Sequence, residues 1–243
     1  MNTAKTLSRP LARRVAGLDE LLPVPASEPN IPQNVIQAAV DALARGETHY
    51  TDRPGIPEFR QWVADYLGKS YGIHIAPSQV TITCGSTEAR YVTMTLLAQP
   101  QTQVLCLGDA AQIRGALHLV GAEPVHSLEE AKRLTVLYLR PDDEREILDA
   151  LFKQAEREDW WLVWDMSLAA ARPNIHPAQN EKLAARVVTI DSLSRRMAGW
   201  RLGWMAGSEA ALRLRARKQA ITICTTSVSQ WAGLEFVRSG EAW

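Results

Sequence analysis

Short runs of β-branched and apolar residues recur along the chain, and this spacing constrains the fold more than any other feature. Val80–Cys84, Val104–Leu107, Leu134–Leu139, Trp160–Trp164 and Val187–Ile190 are each too short for a helix and read as buried strands. Stretches of helical period intervene, with Val92, Leu96 and Leu97 after the first run and Ile147–Ala155 before the fourth. Strands alternating with helices predict an α/β protein of three layers: a mostly parallel sheet, helices on both faces, and a site at the strand ends. A chain of 243 residues suits one large domain, or one plus a small appendage. Pro23, Pro25, Pro29 and Pro32 interrupt any early helix, so residues 1–32 are expected to form an arm and 33–243 the domain.

Charge and cysteine usage exclude several classes. Lys+Arg and Asp+Glu both number 27, and no block of like charge points to nucleic acid. Cys84, Cys106 and Cys224 are odd in number and widely spaced, as expected for reduced thiols of a cytoplasmic protein. No apolar run approaches 18 residues and no signal peptide opens the chain, so no membrane partner is expected. The five histidines show no metal-ligand spacing.

The chemistry-bearing stretches follow the runs. Gly85-Ser86-Thr87 ends one strand and opens a helix, which is either an anion site at the helix N-terminus or a plain N-cap. Asp165 ends another strand, where aspartate is commonly a cap or turn residue. After Val187–Ile190 come Ser192, Ser194, Arg195 and Arg196, then Gly199-Trp200-Arg201-Leu202-Gly203, which reads as a further strand. Hydroxyls and guanidiniums at a strand end suit a phosphate. A basic helix carrying Arg213, Arg215, Arg217 and Lys218 reads as a solvated face. In the first helix, Val35, Ile36, Ala39, Val40 and Leu43 form the apolar stripe, closed by Gly46.

Taken together these segments resemble the class I/II aminotransferases, the fold-type I enzymes that use pyridoxal 5′-phosphate. The family's S-x-S-K…G-W-R-x-G motif is matched by Ser192, Ser194, Gly199, Trp200, Arg201 and Gly203. The resemblance implies that Gly85, Ser86, Thr87, Ser192, Ser194 and Arg201 hold the cofactor phosphate. It also implies that Asp165 pairs with the pyridine nitrogen, and that Tyr50 (otherwise a surface tyrosine in a turn) reaches the phosphate of a partner subunit. A homodimer is therefore expected, with an amino acid or keto acid as substrate if the protein is active. Other positions depart from the family. Arg195 stands in the slot of the Schiff-base lysine, with a shortened spacer to Gly199, so no catalytic residue is assigned and the cofactor is at most non-covalent. Ala110 falls where the ring-stacking aromatic belongs, and Leu168 where a tyrosine belongs. The loop at Pro141-Asp142-Asp143-Glu144 lacks the family's asparagine. The family's C-terminal small domain, with its carboxylate-binding arginine, is expected to be largely missing. The resemblance implies a degenerate aminotransferase homologue, or alternatively a non-catalytic scaffold working through its dimer surface or an intact aminotransferase.

Overall fold

The seven-stranded sheet arises where the apolar runs fall. Its strands are β1 (Val80–Thr83), β2 (Gln103–Cys106), β3 (Glu123–Val125), β4 (Leu134–Leu139), β5 (Trp161–Asp165), β6 (Val187–Ser192) and β7 (Gly203–Gly207). This computed structural model describes residues 31–107, 110–167, 169, 173–207 and 209–240. Most of the arm, Leu168, and the side chains of Ser194 and Arg195 lie outside the described residues. The strand order is β1-β7-β6-β5-β4-β2-β3. β7 runs antiparallel to β1 and β6, and the other pairs are parallel. The C-terminal ends of β1, β2, β4, β5 and β6 therefore share one edge with the N-terminal end of β7.

The helices are α1 (Gln33–Ala44), α2 (Pro57–Tyr71), α3 (Gly85–Leu97), α4 (Ala111–Val120) and α5 (Arg145–Arg157), followed by α6 (Glu181–Ala184), α7 (Ser194–Met197), α8 (Ala211–Thr222) and α9 (Ser227–Arg238). They cover both faces, because successive strand side chains point to opposite sides. On β4, Leu137 and Leu139 pack with Phe59 of α2, Leu148 of α5 and Phe236 of α9. Val136 and Tyr138 pack on the other side with Ala89 of α3, Ile113 of α4 and Leu214 of α8. The expected three-layer α/β architecture is what forms.

Three local readings differ. Gly199–Gly203 is not a strand: Ala198–Trp200 is a 3₁₀ turn, Arg201 takes φ +54° and ψ +56°, and β7 starts only at Gly203. A left-handed residue cannot continue a ladder, and here it turns the chain back toward α3. The stripe of α1 is split: Val35, Ala39 and Ala42 are buried, whereas Ile36, Val40 and Leu43 are exposed. The face of α8 is not wholly solvated either. Lys218 is fully buried, with Nζ 2.8 Å from Thr222 Oγ1 and 3.9 Å from Glu88 Oε2. A buried ammonium needs such partners, and a count of basic residues does not reveal them.

Candidate functional site

Strand register brings the motif residues to one edge. Thr83 of β1 pairs with Gly203 of β7, which pairs with Ser192 of β6, so the loop before α3 and the start of the Ser-rich segment flank one position. α3 begins at Gly85 with Cys84 as its N-cap, so Ser86 and Thr87 lie inside the first turn and neither is the cap. First-turn N–H groups have no intrahelical acceptor, and they form the positive end of the helix dipole. Ser86 is buried and Thr87 exposed.

Arg201 closes this corner. Its Nη2 lies 3.4 Å from Cys84 O and its Nη1 lies 3.4 Å from Ala198 O. Gly85 has φ +78°, and a methyl group on it would stand 2.8 Å from Arg201 Nη2. Only glycine gives both the backbone conformation and the room for the guanidinium. Gly203 is tighter still: a Cβ there would lie 2.7 Å from Gly85 C and 2.9 Å from Asp191 O. Both contacts are backbone and cannot rotate away. Gly203→Ala is expected to cost about 1–3 kcal/mol through overpacking and to displace Arg201, as read by urea melts. A stability loss below measurement error would show that this approach is not tight.

Behind the corner, Glu88 turns back to accept from Cys84 N at 2.6 Å, and Lys218 sits beside it. Glu88 thus fixes the loop while its charge is offset. The Cys84 thiol is pushed up by burial and by Glu88, which keeps it neutral.

Asp165 lies at the end of β5, buried beside the same edge. Its Oδ2 accepts from Arg90 Nε at 2.6 Å and from Tyr138 Oη at 2.6 Å. Its Oδ1 accepts from Ser167 N at 3.0 Å and Ser167 Oγ at 2.7 Å. Arg90 Nη2 also donates to Ser167 Oγ at 2.7 Å. Burial works against the Arg90 charge, but Asp165 more than compensates and raises its pKa. Burial and Asp165 push the Tyr138 phenol up, so it remains a donor at neutral pH. A carboxylate offers about four acceptor positions, and here four donors take them. The ring end of the resemblance therefore does not fit these residues: a pyridinium N–H finds its acceptor already engaged.

Tyr50 stands apart from both, 79 % exposed. It lines an open cavity of about 590 Å³ with His49, Cys224, Thr226 and Ser227. Gln230 of α9 holds this wall, accepting from Ile56 N at 2.8 Å and donating to Thr225 O at 2.8 Å. Thr225 Oγ1 donates to Ile82 O at 3.0 Å, which ties the cavity to β1. Ala110 is buried at the N-cap of α4 and offers no ring face. Asp143 accepts from Arg140 N at 2.8 Å in the loop after β4. Sequence reasoning missed Arg90, Tyr138 and Ser167. The available signal was an arginine within the buried stretch Ala89–Met94 of α3, where an unpaired charge is not tolerated. Among the described residues no cluster of His, Cys, Asp and Glu has metal-binding geometry.

The family model "Aminotransferase class I and II" matches residues 22–107. An aspartate aminotransferase of Thermotoga maritima is 27 % identical over 89 % of this chain and 66 % of its own length. One from Rhizobium meliloti is 29 % identical over 86 % of this chain and 60 % of its own. Two solved structures share the fold. A mutant aspartate aminotransferase of Thermus thermophilus has a TM-score of 0.77 at 23 % identity, covering 90 % of this chain and 68 % of that one. The aromatic aminotransferase of Pyrococcus horikoshii has 0.79 at 21 %, covering 89 % and 66 %. The chain is thus similar to the class I/II aminotransferases, a family that uses pyridoxal phosphate, and it spans about two thirds of the length of these relatives.

Proposed function

We propose that this protein keeps the phosphate-holding half of the family's cofactor site and has lost transamination. The observation that carries this is the corner where Arg201 packs on Gly85, with Ser192 in register across β7. In this reading Arg201 supplies fixed charge, and the N–H groups of Gly85, Ser86 and Thr87 orient the anion. The hydroxyls of Ser192 and Ser194 complete the shell, and Tyr50 of a second copy reaches in from the partner side. The ligand is inorganic phosphate or a phosphate monoester. Pyridoxal phosphate, where it binds, does so without a covalent bond. In the family's enzymes that cofactor serves as an electron sink, but Arg195 cannot play the part of its lysine. A guanidinium stays protonated at neutral pH and is a poor nucleophile.

Millimolar phosphate is expected to raise Tm, because a ligand that binds the native state stabilises it by mass action. Arg201→Ala should abolish most of that rise. An unchanged melting curve in the parent protein would sink this reading. Borohydride treatment after pyridoxal phosphate should leave no pyridoxyl adduct on a site lysine, and mass spectrometry would detect one.

A second reading, a scaffold acting through its surface, is favoured by the exposed Ile36, Val40 and Leu43 on α1. The partner proposed there is another copy of this chain or an intact aminotransferase. The cytoplasm is the proposed compartment, in keeping with the free Cys84, Cys106 and Cys224.

A further inference from the structure

We propose that Arg90 acts as a built-in substitute for the pyridinium of pyridoxal phosphate, and that it makes this site prefer phosphate and simple phosphate monoesters over the intact cofactor. The inference rests on the reading above for its phosphate end and on a separate cluster for its ring end. α3 serves both. Its first turn opens the phosphate corner at Gly85, and Arg90 lies five residues further on, about 7.5 Å along the helix axis.

At that point a cation already meets Asp165. Arg90 is 5 % exposed and Asp165 2 % exposed, and their side chains are joined at 2.6 Å. The guanidinium spans two acceptors, Asp165 Oδ2 and Ser167 Oγ, so its position is fixed by two bonds in a fork geometry. Tyr138 donates to the same Oδ2, and Ser167 fills Oδ1 with its N–H and its hydroxyl. The Ser167 hydroxyl donates to Asp165 while accepting from Arg90, so the three side chains form a closed circuit of donors and acceptors. The carboxylate is thus neutralised and saturated by its own chain. A pyridinium N–H gains nothing from approaching unless a donor leaves, and the donor that leaves would be a buried guanidinium without its anion. An apolar residue at position 90 would leave Asp165 calling for an external cation. The arginine answers that need internally.

Titration with inorganic phosphate, pyridoxal phosphate and pyridoxal, followed by Tm and by the absorbance of the ring, tests this. The parent protein should bind phosphate at least as tightly as pyridoxal phosphate. Arg90→Ala frees Asp165, and its preference for pyridoxal phosphate over phosphate should rise at least about tenfold, with a protonated-ring spectrum and a larger rise in Tm than in the parent. The double variant Arg90→Ala/Asp165→Asn has no carboxylate and should lose that gain. Tighter binding of the cofactor than of phosphate by the parent would overturn the proposal, as would an unchanged preference in Arg90→Ala. Should Arg90→Ala fail to fold alone, its recovery by pyridoxal phosphate but not by phosphate supports the proposal. Recovery by neither, with Arg90→Gln showing the parent's preference, counts against it. If phosphate is silent in the parent while Arg90→Ala gains pyridoxal binding, the phosphate reading fails and the role of Arg90 stands.

Discussion

Asp165→Ala is expected to lower stability by about 3–5 kcal/mol, the range for breaking a buried ion pair on one side. For a domain of this size that corresponds to roughly 10 °C in Tm. The loss arises because Arg90, buried in α3, keeps its charge and loses its anion, while Tyr138 and Ser167 lose their acceptor. The double variant Arg90→Leu/Asp165→Ala should recover much of the loss, since removing both partners leaves no buried unpaired charge. Asp165→Asn should be milder than Asp165→Ala, because it keeps one acceptor oxygen. A thermal melt of Asp165→Ala within about 1 kcal/mol of the parent would show that water or a rearranged partner compensates, and that the pair is not a tight element of the core.

Acid should destabilise the protein through His176, the second large effect. His176 is buried, and that burial holds its pKa down at about 3. Its Nδ1 accepts from Ala178 N at 3.1 Å, so the proton sits on Nε2 and points to Thr189 Oγ1 at 3.0 Å. Tyr71 and Trp164 pack against the ring with centroids 5.2 Å and 6.2 Å away. The native state keeps this imidazole neutral while the unfolded chain protonates it near the usual value of about 6.5. Between these two values the unfolded state binds more protons, so stability falls as pH drops, by up to about 1.4 kcal/mol per unit. Above about pH 6.5 the contribution is fully present. Urea melts from pH 7.5 to 4.5, compared with His176→Gln, should show a shallower pH slope in the variant. Equal slopes would mean the ring charges in place.

The fold was legible because its signals are local. Val80–Thr83, Leu134–Leu139 and Val187–Ser192 announce strands by their residue types, and the amphipathic run in α5 announces a helix. Pairing of these pieces follows from chirality and burial, which leave few arrangements for alternating strands and helices. The residues of the proposed phosphate corner were picked out for a related reason: its glycines, serines and arginine each sit in a short motif that can be read from neighbours in sequence. From the chain alone Gly85 read as part of an anion site or a plain N-cap and Gly203 as part of a strand, and only the packed sheet shows that Gly203 faces the Gly85 backbone and Gly85 the Arg201 guanidinium.

The ring end was decided by tertiary structure. Asp165, Arg90 and Tyr138 lie on different elements, 75 and 27 residues apart from the aspartate, and no period or motif links them. Lys218 and Glu88 meet across a still longer separation, which hid the burial of a lysine inside a basic helix. Arg201 shows the same limit on a smaller scale. Its identity was plain, but its left-handed backbone, which ends the expected strand, and the reach of its guanidinium to Cys84 at the start of α3 were not. Residue type and spacing determine where strands, helices and turns form, because those energies come from near neighbours. Which charge meets which depends on desolvation in the assembled core, and that free energy exists only once distant segments have packed.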